Sequence, residues 1–218
     1  MAIPVFIMGR SGSGKTYSLK GFNNCPERVG VISVEKGRLP FKTTIKTTRI
    51  PKFEQDPKFN SSAKVSVARY SWIEQIIRAA KAKSIVIDDS QYLLVNQLFD
   101  GLYESNQFDL YKKIAYNFRN LIHYINQRVP DDVIVYFLHH SETDQDGREK
   151  VKTIGKMLDE KLTIEGCFDI VLYCADQKFY TQGNGISTAK TPEGMFNDKE
   201  IPNDLKAVDA AIREYWGL

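Results

Sequence analysis

Residues 9–16 read GRSGSGKT, which fills every position of the pattern G-x-x-x-x-G-K-[ST]. This pattern constrains the fold because it works in only one setting. A strand delivers the loop, glycines let backbone N–H groups curl round phosphate oxygens, and a helix N-terminus aims its positive end at them. The flanks agree: an apolar run at 3–8 precedes the loop, and a segment of helical character starts at Lys15. The nucleotide-binding set is then Gly9, Arg10, Ser11, Gly12, Ser13, Gly14, Lys15, Thr16 and Tyr17. Lys15 is the mobile cation for the β and γ phosphates. The Thr16 hydroxyl is a ligand for Mg2+, a hard cation that keeps several waters and needs few protein oxygens.

Beyond the loop, apolar β-branched runs alternate with segments of helical period, the signature of a parallel sheet with crossover helices. Strands are expected at 3–8, 29–34, 84–88, 133–138 and 170–174, all short and nearly uniformly apolar, as strands covered on both faces are. Helices are expected at 15–22, 72–82, 110–128 and 205–215; in the third, Leu110, Ile114, Phe118, Leu121, Ile122 and Ile125 form one buried stripe. The reading is an α/β, three-layer fold with a mainly parallel sheet, in a single domain over 1–218. An extended basic insertion is expected at about 40–68, irregular around Pro51 and Pro57 and partly stranded at 44–50. The polar stretch 141–152 reads as a mobile loop after a strand end. Near the C-terminus, 178–181 and 186–190 flank Gln182, Gly183, Asn184 and Gly185, a β-hairpin signal.

Charge is unevenly spread. Between Lys36 and Lys83 twelve Lys or Arg face only Glu54, Asp56 and Glu74, a local charge of +9 in a chain of net +3, which leaves −6 elsewhere. Phe41, Phe53, Phe59, Tyr70 and Trp72 are interleaved with these cations. Two readings fit: a surface for single-stranded nucleic acid, with cations for phosphates and flat faces for bases, or a solvated segment whose aromatics belong to the core. With 42% hydrophobic and 26% charged residues the chain is of ordinary globular composition. Its apolar runs are far short of the ~20 residues that span a bilayer, so no membrane association and a cytoplasmic location are expected. Cys25, Cys167 and Cys174 have no metal-ligand spacing and read as reduced packing or surface residues.

The second constellation is SIVIDDSQYL at 84–93, an apolar strand that ends in two acids. Such a strand projects carboxylates into a nucleotide crevice, so Asp88 is expected to hold Mg2+ through water and Asp89 to support or polarise it. Hydrolysis also needs a group to orient water. Glu35, after the strand at 29–34, is the candidate, against the alternative of a surface acid beside Lys36. The strand at 133–138 ends in His139 and His140, either of which suits a γ-phosphate sensor, because a neutral imidazole donates one hydrogen bond and accepts another.

This succession resembles the RecA-like ATPase core: strand, GRSGSGKT, a strand ending in SVE, SIVIDDSQYL, then a strand ending in a polar sensor. The resemblance implies an ATP- and Mg2+-dependent ATPase with Glu35 as catalytic glutamate, Asp88 as the Walker B acid and His139 or His140 as sensor. More closely, IDDSQYL, KTIGKMLDEK and AKTPEGMF are similar to segments of small P-loop proteins of phages of Gram-positive bacteria. Some related phage ATPases act in single-strand annealing or recombination. The likeness further implies a DNA-facing loop at 141–161, with Arg148, Lys150, Lys152, Lys156 and Lys161, and an oligomer in which Lys190 reaches a neighbour's nucleotide as a lysine finger. The expected function is thus a phage ATPase on single-stranded DNA in recombination, annealing or replication. The alternatives are a small-molecule kinase and a nucleotide-gated binding module that hydrolyses little. ATP is expected over GTP because the base-reading motif Asn-Lys-x-Asp is missing.

Overall fold

The computed structural model describes residues 1–102, 107–183 and 185–218, apart from the side chains of residues 107 and 108. Its strands are β1 (Ile3–Gly9), β2 (Val29–Ser33), β3 (Thr47–Arg49), β4 (Ser84–Asp88), β5 (Ile134–Thr143), β6 (Glu149–Val151), β7 (Ile170–Ala175), β8 (Lys178–Tyr180) and β9 (Glu200–Pro202). They form a sheet in the order β3-β2-β4-β5-β1-β7-β8-β9, and β6 pairs with the end of β5. From β3 to β7 neighbours along this order run parallel, whereas β8 and β9 add antiparallel at one edge.

The apolar strands feed two cores because alternate residues face opposite sides. Phe6, Met8, Ile85, Ile87, Val135 and Phe137 pack with helices α1 (Ser62–Ala79), α2 (Gln91–Asp100) and α3 (Gln107–Arg128). On the other face Val5, Ile7, Val86, Ile134, Tyr136 and Leu138 pack with a 3-10 helix (Thr16–Asn24) and, past the short α4 (Lys156–Asp159), with α5 (Leu205–Trp216). The result is the expected three-layer α/β arrangement. Register then sets the chemistry: Gly9 lies opposite His140, and Ser33 opposite Asp88. The strand ends that carry motifs therefore converge on one edge of the sheet.

Several local expectations are corrected. The helix after the phosphate loop is 3-10, not α. Its sequence, TYSLKGFNN, is poor in strong helix formers, and Gly21 packs directly against Asp204, the N-cap of α5. Helix α1 starts at Ser62, ten residues before the expected 72, capped by Ser61, whose hydroxyl accepts from the Lys64 N–H at 3.4 Å. A buried cation, Arg69, interrupts its apolar stripe and hides the period. The insertion thus ends at 61, and its strand is only Thr47–Arg49 at the sheet edge.

Residues 141–152 are not a loop: β5 continues to Thr143 and folds back through β6. A C-terminal hairpin is present, but it joins β7 to β8 through Asp176 and Gln177, both with positive φ (49° and 57°), as a two-residue turn with left-handed central residues requires. Of the expected turn, Asn184 lies outside the described residues; β8 pairs with β9, while Lys190 bonds through its backbone to Val171.

Candidate nucleotide-binding site

A cleft of about 520 Å³ opens at the C-terminal edge of the sheet, lined by Ser11, Gly12, Gly14, Lys15, Thr16, Tyr17, Lys36, Pro40, Asp89, His140 and Gln177. Strand β1 ends at Gly9, and the chain turns through Gly14 at φ 107°, a backbone state that disfavours any side chain. Lys15 is buried, and its Nζ donates to the carbonyls of Gly9 (2.6 Å) and Arg10 (2.9 Å). Burial pulls its ammonium down to about 8, so an anion in the cleft would favour its charged form. Arg10 and Ser13 turn elsewhere. Arg10 bonds Thr143 and Glu149, whereas Ser13 Oγ is buried beside Gly9 without a hydrogen-bond partner among the described residues.

Thr16 Oγ1 donates to Asp88 Oδ1 at 2.8 Å. Burial, then the neighbouring Asp89 charge, raises the Asp88 carboxyl to about 6. A desolvated carboxylate beside a second carboxylate and a hydroxyl oxygen is a donor set for a hard divalent cation, so Thr16 and Asp88 fit Mg2+. Asp89 turns sharply out of β4 at φ 60°. Burial raises its carboxyl, but the His140 hydrogen bond and the Lys36 charge outweigh this and hold it below the usual range. His140 Nε2 lies 3.4 Å from Asp89 Oδ1, and Lys36 Nζ lies 3.7 Å from Asp89 Oδ2.

The two histidines have different places. His139 is fully buried and its Nε2–H donates to the Lys152 carbonyl at 2.9 Å; Nδ1 therefore accepts from the Ser90 hydroxyl, also at 2.9 Å. Burial pushes its imidazole down to about 3, so it is neutral and structural in geometry. His140 is the one that lines the cleft, its backbone N–H donating to Gln91 Oε1 at 3.3 Å.

Glu35 is not brought to this cleft. It is exposed and lines a neighbouring one, with Arg49, Lys52, Glu54, Arg69 and Asp100. The reason is the turn that follows β2. Gly37 stands at φ 72° with its N–H bonded to Ser33 Oγ (2.6 Å), and Arg49 holds the Glu35 carbonyl (3.1 Å). The turn sends Lys36 inward and Glu35 outward. Lys190 is exposed and also lies outside the cleft of its own chain.

Lys36, Pro40, Gln177 and Asn203 escaped the sequence reading. Asn203 Nδ2 donates to the Gly14 carbonyl at 3.0 Å, across a separation that no local pattern reports. Lys36 was legible only as one cation of the basic run and as the neighbour of Glu35, and which of two adjacent residues faces a cleft depends on the turn beyond them.

The basic segment proves partly neutralised. Lys36, Lys58, Arg69 and Lys83 pair with Asp89, Asp56, Asp100 and Asp132, and Arg69 is 4% exposed. Tyr70 belongs to the core and Trp72 packs against it, while Phe53 and Phe59 pack edge to face on each other. Lys42, Lys46, Arg49 and Lys52 stay exposed along one stretch. In the hairpin region Lys150 pairs with Glu142 (3.3 Å) and Asp159 (3.7 Å). Among the described residues, no helix is long and apolar enough to cross a membrane.

The phosphate loop leaves the end of β1, the strand between β5 and β7, and a buried Lys, a Thr–Asp pair and a second acid share its cleft, the arrangement of a P-loop nucleotide-binding fold on a mainly parallel sheet. The chain belongs to the AAA domain family, which matches residues 1–196. No curated protein matches it. Among solved structures it is similar to a KaiC-like protein from the hyperthermophilic archaeon Pyrococcus horikoshii OT3. That likeness has 16% identity and a TM-score of 0.52, and it covers 92% of this chain and 84% of that one.

Proposed function

We propose that the protein is a Mg2+-dependent ATPase whose turnover is coupled to single-stranded DNA, working as an oligomer in phage recombination, annealing or replication. The observation that carries the ATPase reading is the cleft that holds Lys15, Thr16, Asp89 and His140, with Asp88 bonded to Thr16. Lys15 leaves its two carbonyl partners to meet the β and γ phosphates. Thr16 and Asp88 would hold Mg2+, which supplies charge neutralisation between the phosphates when bound. Asp89, ionised and steadied by His140, orients the attacking water and accepts its proton. Tyr17, Pro40 and Gln177 form the rim where a base would rest. The exposed Lys42, Lys46, Arg49 and Lys52 support the DNA reading, because a strand's phosphates could follow that row.

The test is ATP turnover with and without single-stranded DNA, over a range of protein and salt concentrations. Stimulation by DNA, with affinity falling steeply as salt rises, is expected. Turnover indifferent to DNA but raised by a nucleoside acceptor would replace this reading with a kinase.

A further inference from the structure

We propose that Lys36 is the catalytic cation that touches the γ-phosphate in the transition state, and that it comes from the same chain as the phosphate loop. The inference rests on the ATPase reading above and names a residue that the motifs do not reach. Lys36 lines the same cleft as Lys15, Thr16 and Asp89. Its direction is built in, because the bonds of Gly37 to Ser33 and of Arg49 to the Glu35 carbonyl fix the turn on either side of it. Gly37 is required there: a Cβ would meet Arg49 Cδ at 2.5 Å, at a φ of 72°.

Lys36 is held in readiness rather than in use. Its Nζ stands 3.7 Å from Asp89 Oδ2, with 63% of the side chain exposed. Such an exposed pair is screened and holds the side chain weakly. When a nucleotide fills the cleft, Asp89 turns to the attacking water and the freed ammonium reaches the γ-phosphate oxygens. Charge on those oxygens is spread over the equatorial positions as the bond to the leaving phosphate breaks. A cation that already lines the cleft with Lys15 meets that charge with little reorganisation. Lys36 lines the cleft of its own chain and Lys190 does not, so the cation placed to act from the same chain is Lys36.

The test variant is Lys36→Met, which keeps the apolar stem of an exposed side chain and should fold normally. In the full-length protein with Mg2+, kcat for ATP is expected to fall about 100-fold, the effect of removing one donor aimed at developing charge. Affinity for ADP should stay within about threefold, and affinity for ADP with aluminium fluoride, which mimics the transferring phosphoryl group, should fall at least about tenfold. A kcat within about threefold of the wild type, or equal weakening of ADP and ADP–aluminium fluoride, overturns the assignment. Mixing Lys36→Met with Lys15→Ala separates same-chain from neighbour action. Neither variant should restore the other, and recovered turnover would overturn the same-chain origin. Should the wild type itself not hydrolyse ATP, the ATPase reading fails, and that outcome is visible before any variant is compared.

Discussion

Asp89 carries left-handed backbone torsion at φ 60°, which for a non-glycine residue costs about 1 kcal/mol and persists where surrounding bonds enforce it. Here the enforcement comes from β4 on one side and the Ser90 N–H to Leu138 carbonyl bond (2.9 Å) on the other. The torsion aims the carboxylate at the cleft, whereas Glu35, a residue of similar chemistry, points into a different one. Asp89→Asn is therefore expected to bind ATP but lose about 100-fold in kcat, as loss of a general base does. Glu35→Gln should hydrolyse within about threefold of the wild type, and the reverse ranking in steady-state assays would return the base to Glu35. His139 carries a pH signature of its own. Its folded-state value of about 3 lies below the ordinary 6.5, so the unfolded chain binds more protons between them. Its stability contribution is complete above pH 6.5 and is lost as pH falls toward 3, at about 1.4 kcal/mol per unit. Asp88, raised from 3.8 to about 6, slopes the other way, because its folded form holds a proton the unfolded form releases. The difference between wild type and His139→Gln in denaturant melts from pH 5 to 7 isolates the histidine. Equal slopes would show that His139 does not titrate this way.

Among the elements, legibility followed how much of each one's burial comes from its own period. Strands β1 and β4 were read within one residue, because both faces are covered and the run is apolar throughout. Helix α3 was equally plain, since Ile114, Phe118, Leu121 and Ile125 are all buried. Helix α1 was half missed because Arg69 occupies a buried position through its bond to Asp100 (2.6 Å), which no sequence period announces. The hairpin was set one strand too late, since Gly183 and Gly185 advertise a turn while the turn actually used is built from Asp176 and Gln177. The 3-10 helix depends on a long-range contact as well. A Cβ on Gly21 would overlap the Asp204 carboxylate, whose Oδ1 caps α5 by accepting from Lys206 N–H (2.9 Å) and Ala207 N–H (3.3 Å). Gly21→Ala should cost at least the worth of that cap, about 1 kcal/mol, even though alanine is the better helix former. A variant as stable as the wild type in urea would mean that the helix shifts freely against α5.

At the scale of the whole molecule, the chemistry and the anchoring lie at opposite ends of the parallel strands. The cleft residues follow the C-terminal ends of β1, β2, β4 and β7, with His140 inside β5, so the motifs alone disclosed most of that edge. The opposite end was silent in the sequence, because apart from the Asp209–Arg213 pair within α5 its partners are more than seventy residues apart. Asp209 of α5 is 1% exposed and accepts hydrogen bonds from Ser84 (2.6 Å) and Tyr136 (2.9 Å), while Arg213 donates to it at 2.8 Å. Arg213 reaches on to the carbonyls of Lys83 and Asp132, each at 2.9 Å, so the cluster ties α5 to the starts of β4 and β5. Removing one partner from a buried charged cluster strands the others, at a cost of about 3–5 kcal/mol. Asp209→Ala is thus expected to lower the urea midpoint sharply. Because no member of the cluster lines the cleft, ATP affinity measured in the cold, where the variant stays folded, should match the wild type. A loss under about 1 kcal/mol would demote the cluster to a surface ornament of α5, because an exposed ion pair is worth no more than that. Weakened ATP binding by a folded variant would mean that the two ends of the sheet are coupled through β4 and β5.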